Sequence, residues 1–186
     1  PLDLGIPLGI ILRDNLKLAK SMAEVKRLLN NNDVLVDGKR KKDHRLIVGL
    51  FDIISIPKLN TFYQIVLDNK GRIVVHEISE NKSTSKTCKV VGKHLLKQGV
   101  LQLSLHDGKT LRGKNNVNVG DTVVIEIPSL KIIKILPLEK GVSVMLTAGK
   151  HGGTMAHLEQ ITVDKAVCNK GTEQIETAKK YLFVVG

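Results

Sequence analysis

The sequence predicts an α+β protein in which a small helical unit is followed by a longer, β-rich region. The segment from 12 to 29 has the apolar spacing of two short amphipathic helices. From about residue 61 the spacing becomes strand-like, with turn residues at even intervals. The chain has 186 residues, of which 42% are hydrophobic, so a folded core is expected. We expect three parts, 1–57, 58–137 and 138–186, with the first boundary at Pro57.

The helical unit contains recognisable start and stop signals. Leu12, Leu16 and Ala19 share one face at helical spacing, so we expect a first helix there. Ser21 and Glu24 form an S-x-x-E pattern, in which each side chain can accept a hydrogen bond from a backbone N–H of the first turn. The second helix then turns its apolar residues inward, namely Val25, Leu28 and Leu29.

A tight hairpin with a basic cluster follows these helices. Val34 and Val36 alternate as in a half-buried strand, and Asp37-Gly38 has the composition of a two-residue hairpin turn. Four cations, Lys39 to Lys42, come directly after the turn, and we expect their side chains to project together. The order of cap, helix, hairpin and closing strand 52–56 resembles the S4 RNA-binding domain. That resemblance implies that this unit binds RNA.

The remaining sequence predicts many short strands. We expect them at 62–67, 73–78, 86–91, 100–105, 122–127, 131–136, 142–146 and 181–186, and we expect Met155, Leu158 and Ile161 to lead into a further strand. The glycine-rich loop 148–153, which includes Lys150, together with its flanking strands, is similar to the KOW motif of small SH3-like barrels. The motif usually has a basic residue and another glycine where this chain has Thr154 and Ala156. Its glycines either allow close approach to a phosphate or form a structural turn.

Taken together, the chain resembles the archaeal and eukaryotic S4 family of ribosomal proteins, the e-type S4 family. The resemblance is carried by several short segments along nearly the whole chain: 12–14, 16–17, 24–26, 36–39, 52–56, 70–72, 106–108 and 182–186. It implies a structural, non-catalytic constituent of the small ribosomal subunit in the cytoplasm, with rRNA and neighbouring ribosomal proteins as partners. It implies no cofactor, metal or small-molecule substrate. The family usually begins with a further basic segment, so we expect residues to be missing before Pro1.

The charge balance supports a polyanionic partner. The formal net charge is +11, while Trp is absent and aromatic residues make up 3%, which disfavours a base-stacking surface. An anionic membrane is the weaker alternative, because no apolar run reaches spanning length. The candidate RNA-binding residues are Lys17, Lys20, Lys26, Arg27, Lys39, Arg40, Lys41, Lys42, Arg45, Lys70, Arg72, Lys109, Arg112 and Lys150. We expect Lys86, Lys89 and Lys114 to add surface charge to the middle region.

Other kinds of site have little support. Cys88 and Cys168 lack CxxC spacing, which favours free thiols over a disulfide framework or zinc site. The six histidines show no HExxH pattern, and no GxxxxGK[ST] phosphate loop is present. Two alternatives remain open: a translation or transcription factor with S4 and KOW modules, and the RNA-binding part of an RNA-modifying enzyme.

Overall fold

The structure is a computed structural model that describes residues 4–113 and 116–186, with only the backbone of Gln98. Lys114, predicted to add charge to the middle region, lies outside the described residues. The chain divides into two compact units. The first contains the chain up to Val66 together with Ile73–Lys86 and Glu126–Lys131. The second contains Leu67–Arg72, Thr87–Ile125 and Ile132–Gly186.

Strands are the main regular structure of the described backbone, and the helices are few and short. The helices are α1 (Leu8–Ile10), which continues as a π-helical turn Ile11–Asn15, α2 (Met22–Asn31) and α3 (Glu80–Ser83). The strands are β1 (Gly5–Pro7), β2 (Leu35–Val36), β3 (Lys39–Arg40), β4 (Ile47–Gly49), β5 (Ile53–Ile56), β6 (Thr61–Leu67), β7 (Ile73–Ile78), β8 (Ser85–Leu95), β9 (Leu101–Leu105), β10 (Thr110–Arg112), β11 (Thr122–Glu126), β12 (Ile132–Leu136), β13 (Ser143–Leu146), β14 (Met155–Ile161), β15 (Lys165–Lys170), β16 (Glu173–Ala178) and β17 (Leu182–Val184).

The first sheet has the order β3-β2-β5-β6-β7, and the two N-terminal helices share its core. A small sheet of β1 and β4 lies in the same unit. The shared core is formed by aliphatic side chains from α1, α2 and the sheet: Leu8, Ile11, Leu12, Val25, Leu29, Val34, Val36, Ile54, Ile56 and Ile65. Because helices this short are marginal alone, burial of their apolar faces against the sheet is what stabilises them.

The second sheet has the order β10-β9-β8-β11-β12. Its buried residues come mainly from β8, β9 and β11, as the alternation of Val90, Leu103 and Leu105 with more exposed neighbours predicts. Cys88 is buried in β8 and is not part of a disulfide among the described residues.

The third sheet has the order β16-β15-β14-β13-β17 and its own core. Val144 and Leu146 of β13, Leu158 of β14 and Val184 of β17 are buried there. Strands β15 and β16 were not predicted. Their apolar alternation is weak, because β15 buries only the small Ala166 and Cys168 and β16 buries only Ile175.

The prediction of a β-rich chain is confirmed, but a predominantly helical first unit is not. The first helix ends at Asn15, before the predicted Ala19, and Lys17 has a positive φ of 53°. The sheet that holds β2 and β5 also includes β6 and β7, beyond Pro57. The three-part division at residues 57 and 137 stays a prediction. Among the described residues, no helix has the length and apolar character needed to span a membrane.

Candidate nucleic-acid interface

Helix α2 presents basic residues outward because its start and its apolar face are fixed. The Ser21 hydroxyl accepts a hydrogen bond from the Glu24 N–H at 3.3 Å, as the S-x-x-E pattern predicts. The Glu24 carboxylate accepts from the Lys20 N–H at 2.7 Å, one residue earlier than in a standard capping box. With Val25 inside, the following Lys26 and Arg27 are exposed.

The predicted hairpin is present. Val36 lies opposite Lys39 across the β2–β3 pair, and the turn between them is Asp37-Gly38. Asp37 has φ 49° and Gly38 has φ 71°, the two positive values of a type I′ turn, which matches the right-handed twist of the strands. Strand β3 is an edge strand, so Lys39 and the exposed Lys42 beyond it are accessible on the rim of the sheet.

Arg40 is held by the protein itself. Its guanidinium forms an ion pair with Asp33 at 3.0 Å and donates to the Asn30 carbonyl oxygen at 3.1 Å. A cation at the last carbonyls of a helix complements the negative end of the helix dipole. Arg40 therefore places the hairpin beside the C-terminal end of α2. Some of its guanidinium N–H donors are already used by these contacts. Strand geometry also points Lys39 and Arg40 to opposite faces, contrary to the expected common projection.

A set of exposed or half-buried cations surrounds this helix and hairpin without ion-pair partners in the described part of the chain. We call five of them the α2–hairpin cations: Lys26, Arg27, Lys39, Lys41 and Lys42. Lys17 and Lys20 lie just before α2 and are also exposed and unpaired. Arg45, in contrast, lies 3.5 Å from Asp43, whose pKa is lowered mainly by the Arg45 N–H. The first unit thus places predicted RNA-binding residues on connected elements.

The hairpin turn rests on a buried charge cluster that the sequence did not reveal. The Asp37 carboxylate accepts from the Ile53 N–H at 3.0 Å and from the Lys86 ammonium at 2.8 Å. Lys86 also contacts Asp52, which in turn accepts from the Gly49 N–H at 2.7 Å. Lys86 is 1% exposed, so the expectation that it adds surface charge is wrong. Its partners lie 34 and 49 residues away, beyond the reach of local patterns.

Burial controls the protonation of this cluster. Removal from water raises the pKa of Asp52, and repulsion from Asp37 adds to the rise, while the Lys86 charge opposes it. A buried carboxylate without a cation would be costly, so Lys86 compensates both acids. The cluster thereby fixes the turn from which β3 and its lysines emerge.

The predicted cations of the second unit have mixed environments. Arg72 pairs with Asp68 at 2.8 Å, and the half-buried Lys109 pairs with Asp107 at 2.8 Å. Lys70, Arg112 and Lys150 are exposed and lack ion pairs among the described residues. They lie on three separate elements: the 68–71 turn, the edge strand β10 and the glycine-rich loop. Whether any of the fourteen candidates contacts RNA stays a prediction.

Lys89 also differs from the expected surface cation. Its ammonium donates to the carbonyl oxygens of Lys180 and Leu182 at 2.8 and 2.6 Å. Burial lowers the pKa of Lys89 to about 8. The side chain therefore ties β8 to β17 and its preceding turn, rather than extending into solvent.

The glycine-rich loop packs against the protein at Gly153. This glycine has φ 81°, and a Cβ there would lie 1.8 Å from the Asp68 carbonyl oxygen and 2.8 Å from the Gly71 nitrogen. The close neighbour is thus the backbone of the 68–71 turn. Of the two roles expected for the loop glycines, the structural one applies to Gly153, while Lys150 is exposed.

Comparison with known proteins identifies the family. The model of Ribosomal family S4e matches residues 59–132. The small ribosomal subunit protein eS4 of Methanothermobacter thermautotrophicus is 36% identical over 98% of this chain and 78% of its own length. The chain belongs to the S4e family of ribosomal proteins. The resemblance predicted from sequence is therefore confirmed, and with it the expectation of a non-catalytic protein.

Further relatives agree with this S4e membership. The eS4 proteins of Methanocella arvoryzae and Nanoarchaeum equitans are each 38% identical, over 98% and 86% of this chain and 80% and 68% of their own lengths. The crystal structure of the 30S ribosomal protein S4e from Thermoplasma acidophilum superposes with a TM-score of 0.83 at 28% identity. It covers 98% of this chain and 94% of that one.

Proposed function

We propose that this S4e protein is a structural constituent of the small ribosomal subunit, in the cytoplasm, and binds rRNA with the α2–hairpin cations. The observation that carries the proposal is the accumulation of unpaired, accessible cations on α2 and on the hairpin beside its C-terminal end. Family relatives named as small-subunit proteins supply the context. Neighbouring ribosomal proteins are further expected partners.

The proposed mode of binding is phosphate contact. Each lysine ammonium can contact a phosphate as a point charge. The release of counterions condensed on the RNA then supplies much of the affinity. Arg27 can add a bidentate contact, since its guanidinium has no ion pair among the described residues. With two Tyr, three Phe and no Trp in the chain, recognition rests on backbone and shape rather than on stacking. We further infer that residues to about 57 act as an S4-like domain and that 138–186 act as a KOW-like barrel.

The test compares salt dependence of binding between two double variants of the whole chain. Lys39→Ala with Lys42→Ala removes two exposed hairpin cations. Lys140→Ala with Lys170→Ala removes two exposed, unpaired lysines of the second unit. Affinity for a small-subunit rRNA fragment is measured by fluorescence anisotropy over a range of salt concentrations. Each phosphate contact contributes a slope of roughly −0.7 to −0.9 in log affinity against log salt.

The hairpin variant should flatten this slope by about one to two units, while the control pair leaves it unchanged. Circular dichroism should show both variants folded, because exposed substitutions usually change stability by less than about 0.5 kcal/mol. Equal losses in both variants would mean that binding is distributed over the chain. An unchanged slope in the hairpin variant would show that the α2–hairpin cations are an ordinary solvated surface.

A further inference from the structure

A groove of about 690 Å³ lies within the second unit, between strand β8 and the loops of the third sheet. Its lining has two chemical components. Aliphatic residues line part of it, namely Val90, Val91, Val119, Leu138 and Val163. Charged side chains form the rest: Lys89, Lys179, Lys180 and Asp164.

The aliphatic walls are unusually accessible. Val91 is 50% exposed, Val119 is 54% exposed and Val163 is 85% exposed. Single exposed aliphatic residues are normal on protein surfaces, but these three line one concavity. Three different segments supply them, β8, the turn before β11 and the turn between β14 and β15, so local sequence does not explain the clustering. A partner that fills the groove must therefore offer apolar surface.

The Lys89 ammonium supplies an uncompensated charge at this groove. Two of its three N–H donors are used by the carbonyl oxygens of Lys180 and Leu182. No carboxylate pairs with it anywhere in the described part of the chain. Lys179 and Lys180 add positive charge to the lining, and Asp164 is the one acidic residue among the described lining residues. A carboxylate next to Lys89 would gain a charge-assisted hydrogen bond in partly desolvated surroundings.

We propose that this Lys89 groove docks a short segment of another protein that presents one carboxylate beside two or more aliphatic side chains. The walls favour a protein over RNA, because contact with valine side chains would remove water from phosphate and ribose hydroxyl groups without giving them hydrogen-bond partners. The positive lining favours an acidic rather than a basic segment. This surface is separate in residues and chemistry from the α2–hairpin cations, so it goes beyond the proposed rRNA contact.

The charge state of Lys89 provides a direct readout. With a pKa of about 8, Lys89 is charged at neutral pH and mostly neutral by about pH 9.5, where an ordinary lysine remains charged. The other ionisable groups beside it are Lys179, Lys180, Asp164 and His106, whose Nδ1 accepts from the Lys89 N–H at 3.2 Å. The Lys89→Gln variant lacks the Lys89 titration and keeps these neighbouring groups, so it separates the contribution of Lys89 from theirs. Loss of binding between these pH values would thus report Lys89.

The experiment uses methyl-labelled valine and leucine in the full chain, observed by NMR. The probes are acetyl-Val-Leu-Glu-amide, the same peptide with Gln in place of Glu, and a short oligouridine. The Glu peptide should shift the methyl signals of Val91, Val119 and Val163 and bind at least about tenfold more tightly than the Gln peptide, a difference of about 1.4 kcal/mol. Its advantage should disappear by about pH 9.5.

Two variants test the charge and the apolar wall of the groove separately. Lys89→Gln should abolish the preference for the Glu peptide. Val163→Asp, at a position that is 85% exposed, should repel the Glu peptide without disturbing the fold. Lys140→Ala is the matched control and should bind as the unmodified protein does. Equal binding of the two peptides, no methyl shifts with the Glu peptide, or the same shifts with oligouridine would each overturn the proposal.

Discussion

The buried Lys86 ammonium pairs with two buried carboxylates in the first unit. It lies 2.8 Å from Asp37 and also contacts Asp52, and all three residues are at most 7% exposed. The geometry joins the hairpin turn, the start of β5 and the start of β8. Since Asp37 also accepts from the Ile53 N–H, this cluster positions the strand that carries Lys39.

Lys86→Met should destabilise the protein strongly. The substitution keeps the length of the side chain but removes the ammonium that pairs with both Asp37 and Asp52, and removing one partner of a buried ion pair typically costs about 3–5 kcal/mol. Urea denaturation followed by circular dichroism measures the change in the free energy of unfolding. Lys82→Met, on the exposed α3, is the control and should stay within about 0.5 kcal/mol. If the two variants unfold alike, the cluster does not stabilise the fold.

The lowered pKa of Lys89 predicts that the free energy of unfolding increases at alkaline pH. Its pKa is lowered to about 8 in the folded protein, against about 10.4 for a lysine in an unfolded chain. Between these values the unfolded state binds more protons, so the free energy of unfolding contributed by Lys89 increases with pH. Below about pH 8 both states are protonated and the contribution is constant.

The measurement compares the unmodified protein with Lys89→Met at several pH values from about 7 to 10. Other lysines and tyrosines titrate in both proteins, so their effects cancel in the difference. The unmodified protein should gain stability relative to the variant as the pH rises through this interval. A difference that stays constant with pH would mean that the Lys89 ammonium is well hydrated in the folded state.

At the scale of elements, the glycine-rich loop and the 68–71 turn constrain each other. Gly153 N–H donates to the Leu146 carbonyl oxygen at 2.7 Å, and its Cα faces the Asp68 carbonyl. Gly153→Ala should therefore cost clearly more than the roughly 1 kcal/mol of a positive φ alone, because a Cβ would lie 1.8 Å from that oxygen.

Gly171→Ala is the matched control for this loop. Gly171 also has a positive φ, 61°, but nothing lies within 4 Å of its Cβ position. Measured by thermal denaturation, the free energy of unfolding should be at least about 2 kcal/mol lower for Gly153→Ala than for Gly171→Ala. If the two substitutions lower the free energy of unfolding equally, the 68–71 turn can move away from the new Cβ. Gly153 would then be needed only for its positive φ.

Elements defined by local chemistry could be predicted from the sequence. Ser21 and Glu24 are three residues apart, and Asp37-Gly38 needs only the φ preferences of two neighbours, so both the helix start and the hairpin were correct. What could not be predicted depends on distant pairs. The partners of Lys86, Lys89 and Gly153 are supplied by the fold, and the sequence pattern near each one resembles that of an ordinary surface residue.

For the whole molecule, the family and the β-rich character followed from the order of short segments along the chain. The candidate site was predicted less completely. The exposed positions on α2 and on the hairpin follow from helical and strand periodicity. The ion pairs of Arg40, Arg72 and Lys109 do not, and these pairs leave the unpaired cations more concentrated in the first unit than the sequence indicates.

The most direct test of the structural ribosomal role is sedimentation of small ribosomal subunits from cells that express the chain, at increasing salt concentration. A constituent held by many phosphate and protein contacts should remain in the small-subunit fraction in salt that removes translation factors. The Lys39→Ala, Lys42→Ala variant should dissociate at lower salt than the Lys140→Ala, Lys170→Ala control. Release of the unmodified chain together with loosely bound factors would contradict the account.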